Sequence, residues 1–375
     1  MRDQELLNRA HITIMENVYE PEGYLWSPYR CITPAKNFFK GIWNWDSAFH
    51  AIGISRYDTN LAKESISGFF KFQRDDGFLP DAVLEDGCII AGSSKPPVFA
   101  WATEIVYKRD KSIDFVKEIY PKLVLNTFFW ENKRSAGGLF FYDSEAPKAP
   151  DYITRVKYES GWDNSVRWDM GITEIYPIDL NCFMVMTYRS LGYIASELNL
   201  DEDSKKWKAK AEKLSKLINE TMWDSKKGYY ADISKQSGAL SDVLSPASFM
   251  PLYIRIASDK QAELMKKIAQ INFRSKMPTV SFDNPEYSND YWRGPTWLNV
   301  AYFAAKGLKN YNFSVANEIK ESILNMCYNE KDGIFECYDS ESGAGLYRIC
   351  DHFSWSCVFI TEFILNFEMW HGYGV

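Results

Sequence analysis

The sequence predicts an all-α fold in which two layers of helices form a ring and short β-strands lie in the loops. Three observations lead to this prediction. Segments with helical periodicity follow one another along the 375 residues, segments that are apolar on most sides alternate with segments apolar on one side, and strand patterns are few and short. The inner helices of a two-layer ring are buried all round and the outer ones are half exposed, which would produce this alternation. No repeat of fixed period is visible, so helix character alone supports the ring.

Each predicted element rests on its own pattern. Residues 203–222 predict a half-exposed helix, because apolar residues recur there every three or four positions among lysines and glutamates. Those apolar positions are Trp207, Ala211, Leu214 and Ile218. Residues 179–199 predict a buried helix, because apolar residues cover almost every side. Further buried helices are predicted over 295–308 and 353–368, half-exposed ones over 113–130 and 313–327, others near 5–18, 47–56, 60–73, 98–109, 245–256 and 259–270, and short strands over 139–142 and 228–231.

The bulk composition favours one large cytoplasmic domain. No Gly/Ser run, Pro-rich tract or block of like charge divides the chain, so we expect a single domain over residues 1–375. A net charge of −7 with interspersed acids and bases argues against nucleic acid as a partner. Because no stretch of about 18 residues is apolar and the start lacks a signal-peptide core, we expect no membrane partner and no secretion. Seven cysteines, an odd number, then indicate reduced thiols.

Residues 159–165, with the sequence Glu-Ser-Gly-Trp-Asp-Asn-Ser, contain the first candidate catalytic group. Asp163 follows Trp162 and precedes an asparagine, a setting in which partial desolvation would raise the pKa of its carboxyl group. An acid that keeps its proton near neutral pH can protonate the leaving oxygen of a glycoside. Glu159 and Asp169 are alternative acids, and a helix cap or loop hydrogen bond is the alternative role for Asp163. Glycoside hydrolysis also needs a second carboxylate, which must come from another loop.

Residues 40–46 form a second candidate loop. Trp43 and Trp45 lie two positions apart, and Asp46 follows directly. Indole rings can pack on the faces of a sugar while a carboxylate binds its hydroxyls, which would make this loop a sugar platform. The alternative is that Asp46 caps the helix that follows.

Two further loops offer pocket walls and the second carboxylate. In residues 289–297, Trp292 and Trp297 could wall a pocket, and Arg293 could hold a carboxylate of the substrate or of a catalytic acid through its planar guanidinium. The alternative is a helix start with both tryptophans in the core. Glu336 lies between apolar and aromatic neighbours ahead of the last helix and is the candidate base, although a surface acid is the usual role of a lone glutamate.

Other chemistries find less support in the sequence. Neither standard phosphate-binding loop is present. Cys337, Cys350 and His352 lack the spacing of a zinc finger, so no metal site is predicted. His50 and His352 lie near the candidate loops, but each is more often a structural histidine than a ligand or base.

Taken in chain order, these loops resemble the (α/α)6-barrel glycosidases of glycoside hydrolase families 63 and 37. The resemblance is greatest to the bacterial mannosylglycerate and glucosylglycerate hydrolases of family 63, and it extends over roughly residues 30–370. It implies an (α/α)6 barrel and an inverting α-glycosidase that needs no cofactor and acts on a small α-glucoside or α-mannoside. It also implies that Asp163 is the general acid and Glu336 the general base, on opposite faces of the sugar.

The same resemblance implies the residues that bind the sugar. They are Trp43, Trp45, Asp46, Trp162, Trp292, Arg293 and Trp297. The chain departs from the family pattern at two positions that we also expect to line the pocket. Phe39 stands where a tyrosine is expected, and Lys95 stands where related enzymes tend to carry glutamine. Lys95 could reach an anionic substrate or lie at the rim.

Three other functions remain open at this point. A trehalase-like hydrolase would use the same two carboxylates on a neutral disaccharide. A sugar epimerase or isomerase would depend on histidine as acid and base, and this chain has only 4 histidines. A catalytically inactive sugar-binding protein would bind a saccharide without turnover.

Overall fold

Within residues 1–347 and 350–368, which the computed structural model describes, six inner helices surround the barrel axis and six outer helices pack behind them. This is the (α/α)6 barrel that the sequence predicts. Within these ranges the inner helices are α2 (Asn44–Ile54), α4 (Phe99–Asp110), α7 (Ile178–Glu197), α9 (Met250–Tyr253), α11 (Leu298–Lys309) and α13 (Ser354–Leu365). The outer helices are α1 (Arg2–Glu16), α3 (Thr59–Phe70), α5 (Ile113–Lys133), α8 (Asp201–Thr221), α10 (Asp259–Ile271) and α12 (Val315–Asn329). A further helix, α6 (Tyr152–Ser160), lies between α5 and α7.

The two layers differ in burial as their sequences predict. Helix α7 is buried on most sides, with Arg189, Tyr193, Ser196 and Glu197 as its more accessible positions. Helix α8 buries only the stripe that its periodicity marks, and its remaining positions face solvent. That stripe consists of Ser204, Trp207, Ala211, Leu214 and Ile218. Helix α1 packs against α13, so that the first outer helix closes the ring on the last inner one.

Aromatic side chains fill the centre of the barrel. The ring of Phe49 lies 5.2 Å from Phe359 and 6.4 Å from Phe303. Phe303 in turn lies 5.8 Å from both Phe183 and Trp101. Because these residues come from five inner helices, they form an apolar floor across the barrel axis.

The strands are short and lie in the loops, as predicted. One sheet has three antiparallel strands, β3 (Gly41–Trp43), β4 (Ala82–Leu84) and β5 (Ile89–Ile90), in the order β3-β4-β5. The remaining strands form two-stranded antiparallel pairs. These are β1 (Val18–Tyr19) with β2 (Cys31–Ile32), β6 (Ser135–Ala136) with β7 (Leu139–Phe140), β8 (Ile175–Tyr176) with β11 (Ile233–Ser234), and β9 (Trp223–Asp224) with β10 (Tyr229–Tyr230).

The structure corrects two details of the predicted helices. Residues 245–256 do not form one helix but a 3-10 turn, Pro246–Phe249, followed by the single turn of α9. Two prolines within eight residues remove backbone donors that a longer helix would need. Residues 152–160, for which no helix is predicted from the sequence, form α6, which ends at Gly161 with a left-handed φ of 71°. Glycine stops helices in this way because the left-handed conformation costs it little.

A large cavity lies at the end of the barrel where the inner helices finish. Its volume is about 1120 Å³, and it begins beyond the last residue of α9, Tyr253. Its buried lining residues include Glu104, Tyr253, Ile254 and Lys306, with Tyr193 and Tyr311 nearer solvent. These residues come from the middle or the C-terminal half of the inner helices or from the segments that follow them, and the lining does not include the loops that carry the candidate catalytic residues.

Two further predictions concerned the state of the cysteines and membrane-spanning helices. All seven cysteines are free, and six of them are buried. Among the residues that the structure describes, no helix has both the length and the apolar character that crossing a bilayer requires.

Candidate active site

The candidate active site lies at the N-terminal ends of the inner helices. Trp43 ends β3 directly before α2, Trp297 directly precedes α11, and Glu336 lies in the loop ahead of α13. Asp163 enters from the segment after α6. Helix N-termini carry partial positive charge, so this end of the barrel suits a cluster of carboxylates.

Hydrogen bonds join the loops to one another around the site. The side-chain oxygen of Asn164 accepts from the backbone N–H of Trp292 at 2.9 Å, which links the loop after α6 to the loop before α11. Thr296 and Tyr338 exchange two backbone hydrogen bonds, at 2.7 and 3.0 Å, which link that loop to the one carrying Glu336. Loops far apart in the sequence therefore hold their side chains in a fixed mutual arrangement.

The end of α6 determines where Asp163 lies. Glu159 in its last turn is fully buried and forms an ion pair with Arg134 at 3.0 Å. Gly161 then turns the chain in the left-handed conformation, against the indole of Trp45. Asp163 follows two residues later and is half-buried. Burial raises the pKa of the Asp163 carboxyl group, although the charge of a nearby lysine opposes the rise.

Gly161→Ala should lower both the melting temperature and the activity. A β-carbon at this position would lie 2.3 Å from the Trp45 ring, and the φ of +71° already disfavours any side chain. We expect the free energy of unfolding to fall by more than about 1 kcal/mol, because alanine is strained at a positive φ. Gly238→Ala is the matched control, because Gly238 has φ +69° but nothing within 4 Å. Equal thermal shifts for the two variants would show that the contact with Trp45 is unimportant.

A floor of stacked and tilted indoles lies beneath the site. Trp292 and Trp297 stack with ring centroids 3.8 Å apart, and Trp162 lies 5.0 Å from Trp292. Trp355 connects this group to Trp45, with centroids 5.7 Å from Trp297 and 5.1 Å from Trp45. All five rings are buried. The alternative that the tryptophans of residues 289–297 are core residues is therefore partly right, since they form the core directly beneath the site.

Glu336 is buried, not a surface acid. Its side chain is 6% exposed, and the hydroxyl of Tyr291 donates to Glu336 Oε1 at 2.8 Å. Burial raises the pKa of Glu336 to about 8; the Tyr291 hydrogen bond opposes this rise, and the charges of Asp163 and Asp46 add to it. The hydroxyl of Ser356 donates to the backbone carbonyl of Phe335 at 2.7 Å and steadies this loop.

Asp46 lies inside the first turn of α2, so it does not cap that helix. The cap position is Trp43, and it makes no side-chain cap bond. Burial raises the pKa of Asp46 to about 7, the charge of Lys95 opposes the rise, and the charges of Asp81 and Asp163 add to it. Lys95 is not at the rim, because it is 8% exposed and its ammonium group contacts Asp81 at 3.2 Å.

Arg293 holds a carboxylate, but not that of Asp163. Its guanidinium forms two bonds to Asp169, at 3.0 and 2.8 Å, and a third to Glu286 at 3.3 Å. It also donates to the backbone carbonyl of Asn164 at 3.2 Å. Arg293 thus ties the loop before α11 to the loop after α6. Asp169, an alternative acid in the sequence analysis, is exposed and occupied by this pair.

Phe39 lies between two of the loops. Its ring is half-buried and lies 5.4 Å from Trp43 and 5.8 Å from Phe353, the residue directly before α13. Trp43 is likewise only half-buried. The two rings therefore form a partly accessible edge, whereas the indoles beneath them are closed off.

The two histidines near the site are placed as structural residues. His50 is fully buried, and its Nε2 lies 2.7 Å from the hydroxyl of Ser354. Burial lowers the pKa of His50 to about 3. His352 is exposed beside Asp351. In the described ranges, no group of three or more His, Cys, Asp or Glu side chains is arranged to hold a metal ion.

Sequence reasoning missed two residues of the site. Tyr291, the hydrogen-bond donor to Glu336, directly precedes Trp292, and its position in that motif was the available signal. Asp81, the partner of Lys95, directly follows the apolar residues Phe-Leu-Pro and precedes Ala-Val-Leu. These apolar neighbours were the available signal that it is buried.

Fold and site together define a class of enzyme. A two-layer helical barrel whose N-terminal loops enclose buried carboxylates above a floor of indoles is the arrangement of a helical-barrel glycoside hydrolase. Residues 40–356 match the family described as the mannosylglycerate hydrolase MGH1-like glycoside hydrolase domain. The chain belongs to this family, which confirms the resemblance to glycoside hydrolase family 63.

Individual relatives agree with this assignment. The mannosylglycerate hydrolase of Rubrobacter radiotolerans is 23% identical over 89% of this chain and 92% of its own length. The periplasmic trehalase of Salmonella newport is 24% identical over 91% of this chain and 69% of its own length. The family 63 mannosylglycerate hydrolase of Thermus thermophilus, solved with glucose, superposes with a TM-score of 0.79 at 22% identity, covering 95% of this chain and 99% of the other.

Proposed function

We propose that this glycoside hydrolase is an inverting α-glycosidase for a small α-glucoside or α-mannoside, with Asp163 as general acid and Glu336 as general base. One observation carries the proposal. Asp163 and Glu336 come from loops far apart in the sequence, yet adjacent residues of a third loop join them: the Tyr291 hydroxyl donates to Glu336 Oε1 at 2.8 Å, and the Trp292 N–H donates to the side chain of Asn164, next to Asp163, at 2.9 Å. Two carboxylates in one desolvated cleft are the groups that glycoside hydrolysis requires.

The proposed reaction uses each carboxyl group once. Asp163 donates its proton to the glycosidic oxygen as the bond to the anomeric carbon breaks. Glu336 takes a proton from a water molecule that attacks the opposite face of the sugar, so the configuration inverts. Inverting enzymes separate the two carboxyl groups by roughly 6.5–9.5 Å to admit this water. Trp43 and Asp46 would hold the glycone above the buried ring of Trp45, and no cofactor takes part.

The electrostatics of the cleft favour a single proton shared between the two groups. Burial raises the pKa of each carboxyl group, and the charge of Asp163 adds to the rise at Glu336. Like charges in one cleft disfavour double ionisation, so the pair retains one proton up to a higher pH than free carboxylates would. A bell-shaped dependence of kcat/KM on pH is the expected signature.

Proton NMR of the purified protein with a substrate panel tests the proposal. The panel is glucosylglycerate, mannosylglycerate, trehalose, kojibiose, nigerose and isomaltose. Appearance of the β-anomer of the released sugar before mutarotation would identify an inverting α-glycosidase. Appearance of the α-anomer first would contradict it. Trehalose is included because a trehalase-like enzyme is the second candidate, favoured by the 24% identity to a periplasmic trehalase.

Tyr291→Phe should shift the acidic limb of the pH profile to higher pH. The Tyr291 hydroxyl stabilises ionised Glu336 and so lowers its pKa, and a base must be ionised to act. A hydrogen bond to a charged group is worth roughly 1.5–3 kcal/mol, or about one to two pKa units. Activity should therefore fall about tenfold or more below the limb and recover as pH rises.

Tyr152→Phe provides the matched control for this shift. Tyr152 also donates to a carboxylate, that of Asp143 at 2.7 Å, but it lies outside the site. Its pH profile should equal that of the wild type. An unchanged limb in Tyr291→Phe would contradict the role of Glu336 as the base.

A further inference from the structure

Lys95 is a buried cation among the carboxylates of the site. It lies between β5 and α4, and its side chain is 9% exposed. Its ammonium group contacts both oxygens of Asp81, at 3.2 Å, and donates to the backbone carbonyl of Tyr158. Two of its three ammonium protons are thus used in hydrogen bonds within the protein, to Asp81 Oδ2 and to the Tyr158 carbonyl, and the Asp81 carboxylate pairs with its charge.

The contact with Tyr158 links Lys95 to the segment that carries Asp163. Tyr158 lies in the last turn of α6, and its carbonyl also accepts from the N–H of Gly161 at 3.0 Å. The neighbouring Ser94 N–H donates to Glu159 at 3.2 Å. Residues 94 and 95 therefore hold the end of α6 from which the turn at Gly161 starts.

The contact with Asp81 links Lys95 to the sugar platform. Asp81 directly precedes β4, which pairs with β3. Its backbone carbonyl accepts from the N–H of Asn44 at 2.9 Å, at the first residue of α2. Since α2 begins with Asn44, Trp45 and Asp46, Lys95 joins the start of this helix to the end of α6.

The charge of Lys95 acts on the same groups. The ionisable groups that face it are Asp81, Asp163 and Asp46, together with the ring of Tyr158 at 6.0 Å. Burial lowers the pKa of Lys95, but the charges of the three carboxylates outweigh burial and raise it, so it stays protonated. Burial raises the pKa of Asp46, Asp81 and Asp163, and the charge of Lys95 opposes the rise at each of them.

We propose that Lys95 is a positioning residue that fixes the general acid segment against the sugar platform and supplies their counter-charge, and that it does not bind an anionic aglycone. The inference rests on the proposed roles of Asp163 and Asp46. Glutamine at this position could make the contacts but could not supply the charge.

The test compares Lys95→Gln, which keeps a donor, with Lys95→Met, which does not. Activity is measured on glucosylglycerol and glucosylglycerate, which differ only in the carboxylate. A positioning role predicts that kcat/KM falls by the same factor on both, about tenfold or more, and that the alkaline limb moves to higher pH because Asp163 keeps its proton longer. An anion-binding role predicts a loss on glucosylglycerate alone, which would overturn the proposal.

A second readout does not depend on turnover. Carboxyl carbons of aspartate-labelled protein are titrated by NMR, with Asp163→Asn and Asp46→Asn used for assignment. The pKa of Asp163 and of Asp46 should rise in Lys95→Gln and stay unchanged in the control Lys63→Gln, whose lysine pairs with Asp110 on the outer surface of the barrel. Unchanged titration in folded Lys95→Gln would overturn the proposal, whereas failure of wild-type enzyme to hydrolyse any glycoside would count against the proposed function instead.

Discussion

Replacing Asp163 by asparagine or Glu336 by glutamine should lower kcat/KM by at least about 10²–10⁴-fold, the range for loss of a positioned acid or base. Both exchanges keep the size of the side chain, so the fold should be retained. Asp163 would lose the proton that the glycosidic oxygen receives, and Glu336 would lose the site that accepts a proton from water. The measurement is steady-state kinetics on a substrate that the wild type hydrolyses.

An activated substrate separates the two roles. The fluoride ion of an α-glycosyl fluoride leaves with little need for protonation. Asp163→Asn should therefore keep much of its activity on this substrate. Glu336→Gln should stay impaired, because water activation is still required. Asp169→Asn serves as the control, since Asp169 is exposed and bonded to Arg293. If Asp169→Asn proved more damaging than Asp163→Asn, the acid would have been wrongly assigned.

Arg134→Leu should destabilise the protein by about 3–5 kcal/mol, the usual cost of breaking a buried ion pair by removing one partner. Arg134 is 3% exposed and Glu159 is fully buried. Without the guanidinium, Glu159 keeps only the backbone donors of Ser94 and Asp143. Because one kcal/mol shifts the melting temperature of a large domain by about 2–4 °C, the transition should fall by roughly 6 °C or more.

Arg134→Leu should also lower the enzymatic activity. Glu159 lies four residues before Asp163 on the same short segment, so activity should fall well below the unfolding temperature. Arg155→Leu is the matched control, because Arg155 also pairs with a carboxylate, Asp151 at 2.8 Å, but on the surface. Exposed pairs contribute little to stability. Calorimetry showing the same transition for both variants would contradict this account of the buried pair.

The sequence was sufficient for the barrel and for the loops of its mouth. The stripe of α8 and the burial of α7 on most sides follow directly from which residues are apolar, and local sequence contains that information. The loops at residues 40–46 and 289–297 were recognisable because tryptophan, glycine and an acidic residue lie close together in each of them. Catalytic roles for Asp163 and Glu336 remain predictions.

Features that depend on distant partners could not be predicted in the same way. Arg293 has suitable carboxylates on several loops, and only tertiary structure places Asp169 nearest. Helix α6 has a weak pattern, and its end is held by the bond between Lys95 and Tyr158 from another part of the chain. The length of α9 was overestimated because apolar residues continue past the point where the prolines interrupt the backbone.

The cavity beyond α9 lies at the opposite end of the barrel from the loops of the mouth, so residues there can be exchanged without touching those loops. Helix α11 runs from the indole floor to that cavity, and its 12 residues span about 18 Å at 1.5 Å per residue. Substitutions in the lining of this cavity, which has a volume of about 1120 Å³, would not approach the mouth. Protein engineers therefore have a region that can be altered while the loops at the N-terminal ends of the inner helices stay as they are.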